Sequence, residues 1–244
     1  MGVELFLRAN RRLAFTEAGR RLFITLSESF GQMERAMLDI VSGPAARTLK
    51  LKLPATMAIR WFIPRLAGLL GKHPELEVEI TTTARPDEAS LDDVDFVMRY
   101  GLGDWNDVES VLLFGAEWAP VCAPSLARSL RQPADIRQQT LLHSMLQPDI
   151  WSLWLKGVGL DNVHSSSNQR FSNSALALQA ASDGLGVAII ERAYLEPDIA
   201  NGRLVMPFEA TVKTPLGVYL VSSRKKSDQP KIKQFRAWLY TVVG

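Results

Sequence analysis

The longest regular signal in the chain lies at residues 16–43, TEAGRRLFITLSESFGQMERAMLDIVSG, where apolar side chains recur at Leu22, Leu26, Phe30, Met33, Met37 and Ile40. Steps of four, four, three, four and three residues follow the drift of a coiled-coil seam, so the spacing predicts one long amphipathic helix. Thr16 is placed to cap its first turn, Glu17 suits the positive end of the helix dipole, and Ser42-Gly43-Pro44 ends it. At ~1.5 Å per residue the helix is about 40 Å long, more than one small domain covers, so its apolar stripe calls for a second copy of the chain. A core helix of an all-helical domain is the other reading of the stripe, and the alternating strands and helices that follow argue against it.

Ahead of the helix, GVELFLRANRRLAF gives two short apolar segments around a polar turn, a small hairpin with Arg8, Arg11 and Arg12 near its tip. Those arginines would meet phosphates; a solvated charged turn explains them equally well. Behind the helix, Leu49, Leu51 and Leu53 alternate with Lys50 and Lys52, a strand with one buried face. Residues 59–71 read as a helix whose regular part starts just before Pro64, because a proline lacks the N–H that a helix interior needs. Strands follow at 77–81 and 95–100, a long apolar run at 111–121, and helices at 125–130 and 150–155. A strand at 169–171, a helix at 174–182 stopped by Gly184 and Gly186, and strands at 187–190 and 218–222 come next. A last amphipathic helix at 230–242 places Ile232, Phe235, Trp238 and Leu239 on one face. Strands alternating with helices predict a parallel sheet wrapped by helices, with Trp61, Phe62, Trp151, Trp154 and Trp238 assigned to its core.

Composition adds that 244 residues with 47% apolar side chains can bury a real core. The formal charge of +2 is unevenly spread: Arg8, Arg11, Arg12, Arg20 and Arg21 crowd the start, while residues 75–109 hold eleven acidic groups against only Arg85 and Arg99. That middle surface would repel a phosphate backbone, so any nucleic-acid contact belongs to the N-terminal end. Cys122 is the single cysteine, which rules out an internal disulfide and suits a reducing compartment. No apolar run approaches the roughly 18 residues of a membrane span, and the expectation is a soluble, cytoplasmic chain with no membrane partner.

Catalytic signals are sparse: the chain holds no H-E-x-x-H, no glycine-rich phosphate loop with a lysine and no G-x-S-x-G. His73 precedes Pro74 as a helix-end residue, and His143 and His164 read as structural or exposed rather than as metal ligands, so neither metal nor cofactor is expected. Binding has better candidates. Thr56 and Asn173-Ser174 each put a small hydroxyl or amide at the start of a helix that follows a strand, where unpaired N–H groups can hold a carboxylate or phosphate. A plain N-cap explains each of them as well.

GVELFLRANRRLAFTEAGRRL followed by a long helix resembles the end of the winged helix-turn-helix domain and the linker helix of LysR-type transcriptional regulators. The match continues through LKLPATMAIRWFIPRL, HPELEVEI, DDVDFVMRYGLGDW, PVCAPSL, TLLH, SALALQAASDGLGVAI, GRLVMPF and PKIKQFRAWL, in the order of the family's effector-binding domain. The branch it most resembles holds the glycine-cleavage activator and the regulator of inducible beta-lactamase. The resemblance implies an α/β fold: a two-lobed, periplasmic-binding-protein-like effector domain, preceded by a long linker helix and a remnant of a winged helix-turn-helix. It divides the chain into a wing remnant at 1–15, a linker and dimerisation helix at 16–44, and an effector-binding domain at 45–244. Lobe I takes about 45–117 and 222–244, and lobe II about 118–221, joined by crossing strands near 112–121 and 216–222. In the family the helix-turn-helix with its recognition helix precedes the point where this sequence starts, so base-reading side chains are not expected here.

The resemblance also carries Thr56, the Asn173-Ser174 pair and Tyr219 into the inducer cleft, although the family has serine or aspartate where this chain has Asn173. Thr82, Thr83, Arg99 and Tyr100 are further candidates; Arg99 could pair with an anionic ligand or with Asp95 or Asp104. The implied function is the effector-binding and oligomerisation part of a DNA-binding regulator that senses a small anionic or zwitterionic metabolite. Its implied partners are DNA in the full-length protein, a homodimer or homotetramer, and RNA polymerase as a further candidate. A solute-binding protein, a co-regulator that dimerises with full-length relatives, and an enzyme on a two-lobed scaffold are the rival readings.

Overall fold

Phe6, Phe15 and Phe23 hold the N-terminal hairpin to its helix in the computed structural model, which describes residues 3–9, 12–42, 47–161 and 167–243. The chain divides into two units, Met1–Thr48 and Leu49–Gly244. In the first, β1 (Phe6–Ala9) pairs antiparallel with β2 (Arg12–Phe15), Phe6 opposite Phe15 and Ala9 opposite Arg12. The Phe6 and Phe15 rings lie 5.2 Å apart, and Phe15 meets Phe23 at 5.1 Å. Thr16 caps the helix as expected: its Oγ1 accepts from the Gly19 N–H at 2.9 Å and donates to the Glu4 carbonyl at 2.8 Å. A Cβ on Gly19 would lie 1.9 Å from the Leu5 carbonyl oxygen, so only glycine lets the strand approach this closely.

Helix α1 (Glu17–Ser42) then runs for 26 residues. Leu22, Leu26, Phe30 and Met33 are all exposed, Phe30 by 64%. Met37 and Ile40 lie on the same helix, with side chains outside the described residues. Arg11 is outside them entirely, while Arg8 and Arg12 are placed by backbone at the ends of β1 and β2.

The second unit starts from β3 (Thr48–Leu53), whose Leu49, Leu51 and Leu53 are wholly buried between half-exposed neighbours. Helical backbone begins at once, in α2 (Ala55–Met57), continues through a wide π turn at Ala58–Phe62, and becomes α3 (Ile63–Lys72). This is earlier than the proline suggests. The π turn, in which the Ile63 N–H reaches the Ala58 carbonyl, allows an upstream helix to continue through Pro64, and Arg65 Nη1 donates to the Trp61 carbonyl at 3.0 Å.

After it come β4 (Glu77–Thr82), β5 (Phe96–Gly101), the long β6 (Val108–Val121), the short α4 (Pro124–Ala127), β7 (Thr140–Ser144) and α5 (Ile150–Gly157). The chain continues through β8 (Ser167–Phe171), α6 (Ser174–Ser182), β9 (Val187–Glu191), α7 (Glu196–Ala200), β10 (Val212–Ser223) and α8 (Pro230–Val243). His164 lies outside the described residues.

Eight strands form one sheet in the order β4-β3-β5-β10-β6-β9-β7-β8. The expected parallel arrangement holds for β3 with β5 and for β8, β7 and β9, but β10 runs antiparallel to β5 and β6, and β6 antiparallel to β9. The difference follows from connectivity: β6 carries the chain from one half of the sheet to the other and β10 brings it back, so the two run in opposite senses. Their pairing slips between Lys213 and Gly217 and again between Val218 and Tyr219, which bends the sheet at its middle.

The core follows the sheet. Phe96 packs on Phe235 at 4.6 Å, and Phe62 on Phe235 and Trp238, joining β5, the π turn and α8. Around β7 and β9 a separate cluster gathers Trp118, Ile136, Trp151, Trp154 and Phe208. Two of the buried indoles reach a carbonyl: Trp154 Nε1 donates to the Ala210 carbonyl at 2.9 Å and Trp151 Nε1 to the Leu142 carbonyl at 3.1 Å, while Trp118 Nε1 has no hydrogen-bond partner among the described residues. All five aromatic residues assigned to the core are buried.

Candidate functional site

Thr56 makes one of the polar contacts between the two halves of the sheet. Extended backbone at Pro54 delivers the chain from β3 into α2, and the Thr56 Oγ1 accepts a hydrogen bond from the Ala175 N–H, 119 residues away, at 2.9 Å. On α6, Asn173 is the N-cap, its Oδ1 accepting from the Leu176 N–H at 3.1 Å. A helix start leaves its first N–H groups without partners; here one is taken by a local amide and another by a hydroxyl from the far side of the sheet. Thr56 is 6% exposed and Ser174 8%, so this junction is nearly dry.

Thr83 belongs to the same end of β3, because its N–H donates to the Leu53 carbonyl at 3.0 Å while its Oγ1 accepts from the Arg85 N–H. Thr82 closes β4 and is exposed. The remaining candidates form other groups. Arg99 and Tyr219 sit opposite each other on β5 and β10 and share one sheet face. Arg99 stacks over the Trp105 ring at 5.7 Å, and that ring meets Tyr219 edge-on at 5.3 Å. Tyr219 donates to the Leu102 carbonyl at 3.3 Å. Asp95, one of the partners considered for Arg99, is instead held by Lys231 at 2.7 Å and by the Lys50 N–H. Tyr100, next along β5, points to the opposite face and shares a hydrogen bond with Thr214 at 3.1 Å.

Beside α6 lies a crevice of about 280 Å³ lined by His143, Ser144, Met145, Pro148 and Arg170. It opens at the carboxyl ends of β7 and β8, where His143 faces Arg170 in the parallel register and the Met145 N–H ties the loop to the Phe171 carbonyl at 2.8 Å. His143 shares a 2.7 Å hydrogen bond with Asn168. The sequence presents His143 as structural or exposed and does not single out Ser144 or Arg170; their signal is a cross-strand register that a single sequence does not display.

The chemistry available at the junction is recognition. Thr56, Asn173 and Ser174 offer a hydroxyl, an amide and backbone N–H groups at the positive end of a helix, suited to a carboxylate or another anionic group. Among the described residues no three His, Cys, Asp or Glu side chains converge as a metal would need. Burial pushes the Cys122 thiol up to about 11, far from a reactive thiolate. No helix among the described residues is long and apolar enough to cross a membrane.

A family model described as the LysR substrate binding domain matches residues 42–243. The chain belongs to the LysR family of transcriptional regulators. Among LysR relatives, the glycine cleavage system transcriptional activator of Escherichia coli K12 is 33% identical over 242 residues, 98% of this chain and 79% of that protein. The solved effector binding domain of AmpR from Citrobacter freundii superposes with a TM-score of 0.71 at 28% identity, covering 81% of this chain and 98% of that one. CrgA, a LysR-type regulator from Neisseria meningitidis, shares the fold with a TM-score of 0.67 at 19% identity, over 100% of this chain and 85% of its own. The mixed α/β architecture is thus that of LysR effector domains, and the role of this chain is effector-dependent regulation.

Proposed function

We propose that a small anionic or zwitterionic metabolite binds at the junction of Thr56 and the α6 N-terminus, and that binding there changes how the two halves of the sheet are held. The observation that carries this reading is the Thr56 hydroxyl accepting from the Ala175 N–H. A ligand carboxylate is a stronger acceptor than a hydroxyl, since ionised hydrogen bonds are about twice as strong, and it would be drawn to the same amides by the helix dipole. Occupation would exchange one polar tie between the halves for a ligand bridging both, and only such differential binding can shift a conformational equilibrium. Thr82 and Thr83, at the end of β4 and beside the end of β3, would extend the site; Arg99 and Tyr219 would act from the neighbouring face of β5 and β10.

In this reading the protein is a cytoplasmic regulator rather than an enzyme. Its α1 stripe pairs with a second copy, and its arginine-bearing hairpin lies against the phosphate backbone of DNA bound by the full-length protein. The AmpR and glycine-cleavage activator relatives give the function class and leave the metabolite open. The test is a melting-temperature screen of wild type and Thr56→Val against amino acids, small carboxylates and cell-wall peptides. Compounds that raise the wild-type melting temperature should lose most of that effect with Thr56→Val, and an undiminished shift in the variant would overturn the assignment.

A further inference from the structure

A cavity away from the Thr56 junction lies against the middle of the sheet, where β6 and β10 cross. It measures about 530 Å³, within the range of small-molecule sites, and is lined from β6 by Phe114 and Glu117, from the end of β9 by Glu191 and Arg192, from α7 by Glu196, and from β10 by Lys213. Glu191 is only 2% exposed. One of its carboxyl oxygens, Oε1, accepts from the Glu117 N–H at 2.7 Å, while Oε2 is buried with no hydrogen-bond partner. A buried carboxyl with one oxygen unsatisfied is costly to keep, and such groups in native structures call for a ligand or a functional role. The neighbouring Glu117 is engaged through one oxygen: its Oε1 accepts from Arg192 Nη1 at 3.1 Å and from the Thr211 hydroxyl at 2.8 Å.

The charge pattern selects among ligands. Glu117 is matched by Arg192, with Lys213 also acting on it, whereas Glu191 and Glu196 face the cavity without an ion pair among the described residues. Phe114, Ala116 and Ala193 supply apolar wall between them. We infer that this cavity is a second small-molecule site, distinct from the Thr56 junction, which takes a primary alkylamine whose ammonium pairs with the carboxyls of Glu191 and Glu196 while its chain lies along Phe114.

The burial of Glu191 also gives the site a pH dependence. Burial raises its carboxyl from the ordinary 4.5 to about 8, helped by the Glu117 charge and opposed by the Glu117 and Arg192 amides. The charged or titratable groups around it are Glu117 on β6, Arg192 and Tyr194 after β9, Glu196 on α7 and Lys213 on β10. An ammonium that enters at neutral pH therefore displaces a proton from Glu191 to solvent, and amine affinity rises by up to about tenfold per pH unit between roughly pH 6 and 8. An amine sitting between β6, α7 and β10 would brace the crossing strands, so it would bias the same equilibrium as the effector without competing for its site.

The test is calorimetric titration of the full chain with butylamine and 1,4-diaminobutane at pH 6, 7 and 8, with butyrate and tetramethylammonium as controls. The expected result is binding of the amines alone, tighter at pH 8 than at pH 6, weakened roughly tenfold or more by Glu191→Gln and several-fold by the exposed Glu196→Gln. Should Glu191→Gln fail to fold, Glu196→Gln and the pH series decide. No amine binding at millimolar concentration, equal binding of tetramethylammonium, or affinity unchanged by pH and by Glu196→Gln would overturn the proposal.

Discussion

Asp198 is the clearest place to ask how strongly the two halves of the sheet are tied. Its carboxylate, 1% exposed on α7, receives Arg60 Nη1 from the π turn at 2.6 Å and Arg203 Nη2 at 2.8 Å. Arg203 is largely exposed and adds little, because solvent screens such pairs. Arg60 is the partner that matters: its side chain is mostly buried and its Nε already lacks a hydrogen bond, so removing the carboxylate charge leaves a buried guanidinium without a counter-ion. Breaking one side of a buried pair costs about 3–5 kcal/mol, and Asp198→Asn keeps one acceptor, so the lower end, about 3 kcal/mol, is expected. For a domain of this size, where each kcal/mol moves the midpoint by ~2–4 °C, the melting temperature should fall by about 6–12 °C. Circular dichroism on wild type, Asp198→Asn, Arg60→Met and the double variant gives the coupling directly. A fall below about 2 °C for Asp198→Asn, or strict additivity in the cycle, would refute the reasoning that this pair locks the π turn to α7.

Other consequences follow from single contacts. Phe30→Asp puts a charge in the middle of the exposed α1 stripe and should shift the mass seen by light scattering toward monomer; unchanged mass would count against pairing through α1. Gly19→Ala forces a methyl into the Leu5 carbonyl and should make the hairpin cleavable by protease at concentrations that leave wild type intact, a cost of about 2 kcal/mol or more. Because the folded-state pKa of Glu191 lies above its unfolded value, its contribution to stability is present below about pH 4.5 and lost as pH rises toward 8. Glu191→Gln should therefore gain on wild type in melting temperature as pH rises through that window, and a constant difference would contradict the raised pKa.

Sequence patterns exposed those elements whose one face is buried. Leu49, Leu51 and Leu53 gave β3, the residues of α6 matched to the residue, and Thr16 announced its own cap. Strand β7 was harder, since Thr140–Ser144 buries adjacent as well as alternate positions and carries no period. The first half of β10 contains Pro215 and Gly217, which weaken a strand in isolation; neighbours on both sides restore it. The antiparallel sense of β6 and β10 was hidden for a related reason, because alternation shows which face is buried and not which way a strand runs. At the site, Thr56 and Asn173 were visible as helix starts, but the Ala175 N–H that Thr56 holds is a backbone group that no residue identity advertises. Arg99 stands out in the sequence by charge alone, and the fold lays it over the Trp105 indole, a partner that charge does not announce.

The most direct measurement is an amide NMR titration of the labelled chain with any compound that stabilises the wild type. The Ala175 and Leu176 amides should shift first and furthest, followed by Thr56 and Thr83, because the ligand takes over the acceptor role at the start of α6. Saturating shifts that leave Ala175, Leu176 and Thr56 untouched while appearing elsewhere would show that the effector binds at another place.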